Sequence, residues 1–293
     1  MAGEIEADVR DYETVAQGMR TCEPEILFHL ATQPLVRRSF ADPRETFETN
    51  VMGTVNVLEA VRATPSVRVM VIVTSDKCYE NRGWEWGYRE DEAMGGHDPY
   101  SSSKGAAELV TSAYRRSFFS EPASPVLATA RAGNVIGGGD WGDERLVPDL
   151  VRAALDGSTL HIRNPTAVRP WQHVVNPLGG YLLLGQSLWY SRDLAGGWNF
   201  GPPEADAQPV AWVVERMCEK WSGRPRWQPD PGPHPHEAHY LKLDSSRARH
   251  RLGWRPVVGL DTALESIVAW YRELQSGADM RETTLRQLRE LTA

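Results

Sequence analysis

Apolar and polar positions change period several times along the chain, and each change predicts an element. The run Val69 to Thr74 is apolar and largely β-branched at both parities, then closes on polar residues. That is the pattern of a central parallel strand buried on both faces. Upstream, Tyr12 to Arg20 reads as a short helix and Glu25 to Leu30 as a strand. Between about Asp42 and Arg62, Val51, Thr54, Val55, Leu58 and Val61 recur near helical spacing and predict one long helix. Pro99, following Asp98, opens a helix from Tyr100 to Phe119, and Pro125 to Arg131 is the next strand. Strands alternating with helices predict an α/β fold, a doubly wound parallel sheet of the Rossmann type.

Beyond Arg131 the pattern is less regular. Helices are expected at Arg145–Leu155 and Pro177–Tyr190, with a short strand, Thr159–Arg163, between them. Residues 198–293 alternate short elements with proline-rich loops; Asp261 to Leu274 reads as a surface helix and the tail after it as polar.

Charge and composition narrow the function. The net charge is −7 and no basic patch stands out, which argues against nucleic acid as a partner. No apolar run reaches membrane-spanning length, and the first residues lack a basic and apolar signal segment, so no membrane partner is expected. Cys22, Cys78 and Cys218 lie far apart without a Cys-x-x-Cys, as in a reduced, cytoplasmic protein. The eleven tryptophans are expected mainly to pack in the interior.

The candidate chemistry sits at the end of the 69–74 strand. Tyr100 and Lys104 are four apart and share a helix face. A phenol titrates near ~10 on its own, a neighbouring ammonium favours the phenolate, and a strand-end hydroxyl can complete a proton relay. Ser75, Tyr100 and Lys104 in this arrangement resemble the short-chain dehydrogenase/reductase superfamily, which implies an active site built around NAD or NADP. A narrower resemblance rests on six motifs in order: Thr74-Ser-Asp-Lys-Cys-Tyr-Glu-Asn81, Trp86-Gly-Tyr-Arg-Glu90, Met94-Gly-Gly-His-Asp-Pro-Tyr-Ser-Ser-Ser-Lys104, Arg131-Ala-Gly-Asn-Val-Ile-Gly-Gly-Gly-Asp-Trp141, Arg169-Pro-Trp-Gln-His-Val174 and His234-Pro-His-Glu-Ala-His-Tyr-Leu-Lys-Leu-Asp244. Together they resemble the CDP-glucose 4,6-dehydratase family across nearly the whole chain.

That resemblance implies conversion of CDP-D-glucose to CDP-4-keto-6-deoxy-D-glucose on NAD, for deoxysugar synthesis. Tyr100, with Lys104 and Ser75, is then the base on the 4-hydroxyl, Asp76 protonates the leaving 6-hydroxyl and Lys77 takes the C5 proton. Related dehydratases carry an Asp-Glu pair where this chain has Asp76-Lys77. A lysine acting as a base must be partly neutral, which burial or a neighbouring cation provides. Asp8, Ala31, Thr32 and Gln33, with Tyr100 and Lys104, are the expected NAD contacts. Asn134, Arg169, His236 and Tyr240 are the expected substrate contacts, Arg169 gripping the pyrophosphate through its guanidinium fork. A homodimer through helices 42–62 and 100–119 is also implied. The expected division is a dinucleotide-binding core, 1–132 and 171–200, and a smaller C-terminal substrate lobe, 133–170 and 201–293.

One expected feature is not in the sequence. No Gly-x-x-Gly-x-x-Gly or Gly-x-Gly-x-x-Gly occurs near the start, and Gly137-Gly-Gly139 follows a different strand. By resemblance the chain begins near the family's third strand, so roughly fifty to sixty residues, the size of a first βαβ unit with its following helix, are expected to be missing. This keeps a non-catalytic sugar-nucleotide-binding remnant beside the dehydratase, and a related nucleotide-sugar 4-epimerase or dehydrogenase is the other alternative. At single residues, Ser75 also fits a strand-end turn, Asp76-Lys77 a solvated pair, Arg169 a surface ion pair and Asp8 a helix cap. His234 to His239 invites a zinc reading, but His-Glu-x-x-His fails because position 240 is Tyr, and no metal is expected.

Overall fold

The computed structural model describes residues 3–222, 225–232 and 238–293. In its first part the chain forms α1 (Tyr12–Cys22), β1 (Ile26–His29), α2 (Val36–Ala41), α3 (Pro43–Phe47), α4 (Gly53–Arg62), β2 (Val69–Val73), α5 (Pro99–Ser117), β3 (Val126–Ala132) and β4 (Asn134–Ile136). It continues through α6 (Leu146–Asp156), β5 (Thr159–Ile162), β6 (Val168–His173), α7 (Val175–Tyr190), β7 (Gly196–Phe200), β8 (Ala207–Pro209) and α8 (Val210–Lys220). Last come β9 (Arg226–Pro229), α9 (Ser246–Arg251), α10 (Leu260–Gln275) and α11 (Met280–Thr292).

Strands β1, β2, β3 and β7 pair in that order, all parallel, with Val71 opposite Phe28 on one side and Ala128 on the other. The pleat sorts β2 by parity: Met70 and Ile72 pack with Leu58 and Val61 of α4, while Val69 and Val71 pack with Leu184 and Leu188 of α7. Both faces are therefore covered, which is why this strand is apolar throughout. The sheet is doubly wound, as the alternation predicts. Helix α7 comes close because it is glycine-bearing where it meets aromatic rings; a Cβ at Gly185 would lie 2.8 Å from the Phe28 ring.

Helix boundaries follow local chemistry. Asp98 caps α5 by accepting from the Ser101 N–H at 2.9 Å, Pro99 occupies the first turn, and Arg115 and Arg116 close the last. The helix expected as one unit over 42–62 is instead α3, a π-helical turn at Glu48–Met52, and α4. The wider turn directs the buried Asn50 side chain into the loop after β1, where it meets the Gln33 backbone on both sides, at 2.7 and 3.1 Å. It also reaches Thr32 at 2.7 Å and Ser103 of α5 at 2.8 Å.

A second core lies C-terminal to the sheet. Strand β6 pairs parallel with β4 and antiparallel with β8, and β5 pairs with β9. Leu150, Ile162, Trp171, Val214, Leu264 and Ile267 cluster among α6, α8 and α10. Helix α10 is not the surface helix expected: Leu260, Ala263, Leu264, Ile267, Val268 and Tyr271 are buried, a full apolar stripe at helical spacing. Helix α11, read as polar tail, docks on α10 mainly through polar groups, with Thr284 accepting from the Trp270 indole at 2.9 Å. Strand β6 crosses residue 170 within the second core, and Ala248 and Trp254 pack with the sheet.

Candidate active site

The chain leaves β2 through Thr74 and Ser75. Ser75 caps a single 3₁₀ turn, Asp76–Cys78, by accepting from the Lys77 N–H at 3.2 Å, and donates to Oδ1 of Asp76 at 3.0 Å. Oδ2 of Asp76 has no hydrogen-bond partner among the described residues, although the residue is buried. Burial raises the Asp76 carboxyl above its ordinary range, against the pull of Lys77, the Ser75 bond and Arg169. A carboxyl held that way retains a proton to higher pH than an exposed one, as a general acid requires.

Helix α5 presents the opposing wall. Tyr100 is buried, and burial pushes its phenol up to about 12, with the Ser75 hydroxyl pulling the other way. One turn on, burial lowers the Lys104 ammonium to about 8, while Cys78 and Glu108 oppose that shift. The Ser75 hydroxyl is thus the first neighbour that lowers the phenol.

A further turn along α5 lies Glu108, which sequence reasoning missed. Its carboxylate accepts from Thr74 at 2.5 Å, from Thr129 at 2.8 Å and from Nε and Nη2 of Arg131 at 2.8 and 2.7 Å. Arg131 then donates to the Tyr79 hydroxyl at 2.6 Å, which donates to Asn199 at 2.7 Å. Arginine and its hydrogen bonds hold the Glu108 carboxyl below the usual range despite burial. The network fixes the end of β2 against α5. The only sequence signal was a charge inside the apolar run Ala106 to Val110.

Ser75, Asp76, Lys77, Tyr100, Asn134 and Arg169 all line one cavity of about 710 Å³. Lys77 is half-buried there. Arg169 is buried and donates to the carbonyls of Val168 and His239 at 2.8 and 3.3 Å, so it is not in a surface ion pair. Lys104 sits behind the wall, buried and outside the lining. Tyr240 is also outside the lining, although its neighbours Ala238 and Leu241 belong to it. His236 lies outside the described residues, as do His234 and Glu237 of the zinc reading.

Asp8, Ala31 and Thr32 line a second, shallow hollow. Asp8 is clasped by Arg10, whose side-chain hydrogen bonds hold the carboxyl down to about 2; the helix cap of α1 is Asp11. Gln33 is buried, its side chain tied to Thr46 at 2.8 Å and to both backbone groups of Leu35. It adjoins Thr32 in sequence but does not line this hollow.

A family model described as GDP-mannose 4,6 dehydratase matches residues 4–191. The chain belongs to this family. Within it, the chain is 49% identical over 286 residues to a CDP-glucose 4,6-dehydratase of Salmonella typhimurium, covering 96% of this chain and 80% of that one. Among solved structures, a UDP-glucose 4-epimerase from Thermus thermophilus in complex with NAD matches with TM-score 0.78 and 27% identity, over 91% of this chain and 83% of that one. A dTDP-glucose 4,6-dehydratase from Streptomyces venezuelae with NAD bound shares the fold at TM-score 0.78 and 24% identity, over 94% and 81%. The family's fold is thus the doubly wound sheet described above, with the cavity at the carboxyl ends of its strands.

Proposed function

We infer that the protein is an NAD-dependent dehydratase that converts CDP-D-glucose to CDP-4-keto-6-deoxy-D-glucose. The observation that carries this is the 49% identity with the Salmonella CDP-glucose 4,6-dehydratase over nearly the whole chain. The chemistry of the cavity supports it. A phenol, a strand-end hydroxyl and a proton-retaining carboxyl face one space, which is the set that oxidation at C4 followed by loss of water at C5 and C6 requires.

Tyr100, as the phenolate, receives the proton of the 4-hydroxyl, with the Ser75 hydroxyl holding the phenolate oxygen in line. The ketone formed at C4 acidifies the hydrogen on C5. Lys77, half-buried in the lining, takes that proton and gives it back to C5 when C6 is reduced, and Asp76 gives its own to the 6-hydroxyl, which departs as water. Tyr100, with Lys104 behind it, would hold the nicotinamide ribose, and Asp8, Ala31 and Thr32, supported by Gln33, the adenosine. NAD supplies the acceptor for the hydride from C4 and the donor that returns it to C6. Asn134 and Arg169 bind the substrate from β4 and β6; the roles of His236 and Tyr240 are carried from the resemblance alone.

The protein acts as a homodimer through helices 42–62 and 100–119, where Phe47, Met52, Leu109 and Phe118 expose apolar surface. It works in the cytoplasm: its three cysteines are free, and among the described residues no helix is long and apolar enough to cross a membrane. The test is incubation with CDP-glucose and NAD, followed by mass spectrometry and NMR of the product. Loss of one water with a ketone at C4 is expected. CDP-galactose without water loss would make the protein a 4-epimerase, and CDP-glucose binding without turnover would make it a binding protein.

A further inference from the structure

The mouth of the substrate cavity is bridged by an ion pair between elements remote in sequence. Arg37, on α2, donates from Nη1 to Oε1 of Glu144 at 2.9 Å, and both residues line the cavity that holds Asp76 and Tyr100. Glu144 stands just before α6 with its backbone in the left-handed region, φ 57, which a glutamate adopts only at a cost. Its carbonyl accepts from Nη2 of Arg163 at 3.4 Å, and the adjoining Arg145 is held by Asp140 at 3.2 Å.

The two side chains are 39% and 41% exposed, so water screens the pair and it contributes little to the fold. Its effect is local: it neutralises a guanidinium that faces the cavity. Guanidinium geometry suits phosphate oxygens through two parallel bonds, and a diphosphate brings more charge than one carboxylate. We propose that Arg37 is a ligand for the diphosphate of the substrate and that Glu144 is its internal competitor. Glu144 holds the guanidinium until an arriving diphosphate displaces the carboxylate. This rests on the reading above that the substrate is a nucleoside-diphosphate sugar. It assigns the diphosphate a second arginine in the lining that also holds Arg169.

The test is calorimetric titration of CDP, without NAD, into the full chain and into Arg37→Gln, Glu144→Gln and the double variant, each checked for a native circular dichroism spectrum. Glu144→Gln is expected to bind CDP about three- to tenfold more tightly, and Arg37→Gln at least about fivefold more weakly. The double variant is expected to match Arg37→Gln, because Glu144 acts only through Arg37. CMP, with one phosphate fewer, is expected to respond less to both substitutions. Wild-type affinity in Arg37→Gln, weaker binding in Glu144→Gln, or a Glu144 effect that persists without Arg37 would each overturn the proposal. So would failure of all four proteins to bind CDP, UDP or dTDP. The expected pattern without dehydration of CDP-glucose would remove the functional reading and leave this one standing. Preference for UDP or dTDP would change the base recognised, and the same series with that nucleotide would decide the pair.

Discussion

Asp76 is the residue where stability and chemistry conflict most. A buried carboxylate with one unpartnered oxygen costs free energy, which an amide of the same shape largely avoids. Its folded value lies above the unfolded 3.8, so the folded state binds the proton more tightly, and stability is lost as pH rises from 3.8 through the folded value. Asp76→Asn is therefore expected to stabilise the protein by about 1–3 kcal/mol at pH 7, raising Tm by a few degrees, with the gap closing toward pH 4. Dehydration is expected to fall at least about a hundredfold in the same variant. Thermal melts at several pH values and product analysis check both halves. Lys77→Ala is expected to behave differently: slow C4 oxidation persists, but C5 deuterium exchange from solvent and water loss nearly vanish. Normal deoxysugar output from Lys77→Ala would remove lysine from the role of base. At this scale local rules, strand parity and helical spacing, were enough to single out Ser75, Asp76 and Tyr100, which line one cavity from two facing elements. Glu108 and Arg131 escaped it. Their partners are more than twenty residues away, and a charged residue in a helix reads as solvent-facing until its neighbours in space are known.

Elements were legible where their apolar period was strong. β2, β3, α5 and α7 fall within about two residues of their expected bounds, since each buries a continuous stripe. The long helix expected over 42–62 was wrong in its middle, for a reason visible only in three dimensions. The π turn costs regular hydrogen bonding, and Asn50 recovers it by binding the loop after β1 and the Ser103 hydroxyl. Asn50→Ala leaves those buried groups unpaired and is expected to destabilise the protein by about 2–3 kcal/mol. Because Thr32 and Gln33 hang from the same side chain, hydrogen exchange in the 31–35 loop is expected to rise more than in β2. Asn50→Asp, which keeps the acceptor, is expected to restore part of the protection. Helix α10 was misplaced on the surface because its charged face was as evident as its apolar one. Helix α11 went unseen because charged residues outnumber its spaced leucines, Leu285, Leu288 and Leu291, and much of its docking is through threonine and glutamine.

At the level of the whole molecule the open question is what covers the outer faces of α4 and α5. These helices pack on each other and on the sheet, yet Leu109 is 62% exposed at the centre of α5, among the partly open Ala106 and Ala113. Met52 and Phe47 extend the apolar surface from the π turn and α3, and Phe118 from the end of α5, where Arg62 covers one face of its ring. Small residues flanking one large apolar side chain suit helix against helix at close range, and two copies related by a twofold axis would pack the two pairs into four helices. A charge at the centre of such a surface is costly only if the surface is buried, so Leu109→Asp separates the alternatives. In a homodimer each copy loses the burial of a leucine, worth about 1.5–3 kcal/mol, and desolvates a carboxylate, so the variant is expected to sediment as a monomer at micromolar concentration. In a protein that is monomeric from the start, the substitution only makes an exposed site more polar, leaving mass and Tm unchanged. Because α5 also carries Tyr100 and Lys104, loss of the dimer is expected to loosen the catalytic wall and lower turnover more than substrate affinity. Sedimentation velocity on the wild type and Leu109→Asp, read beside kcat and KM, checks the interface and its link to the site together.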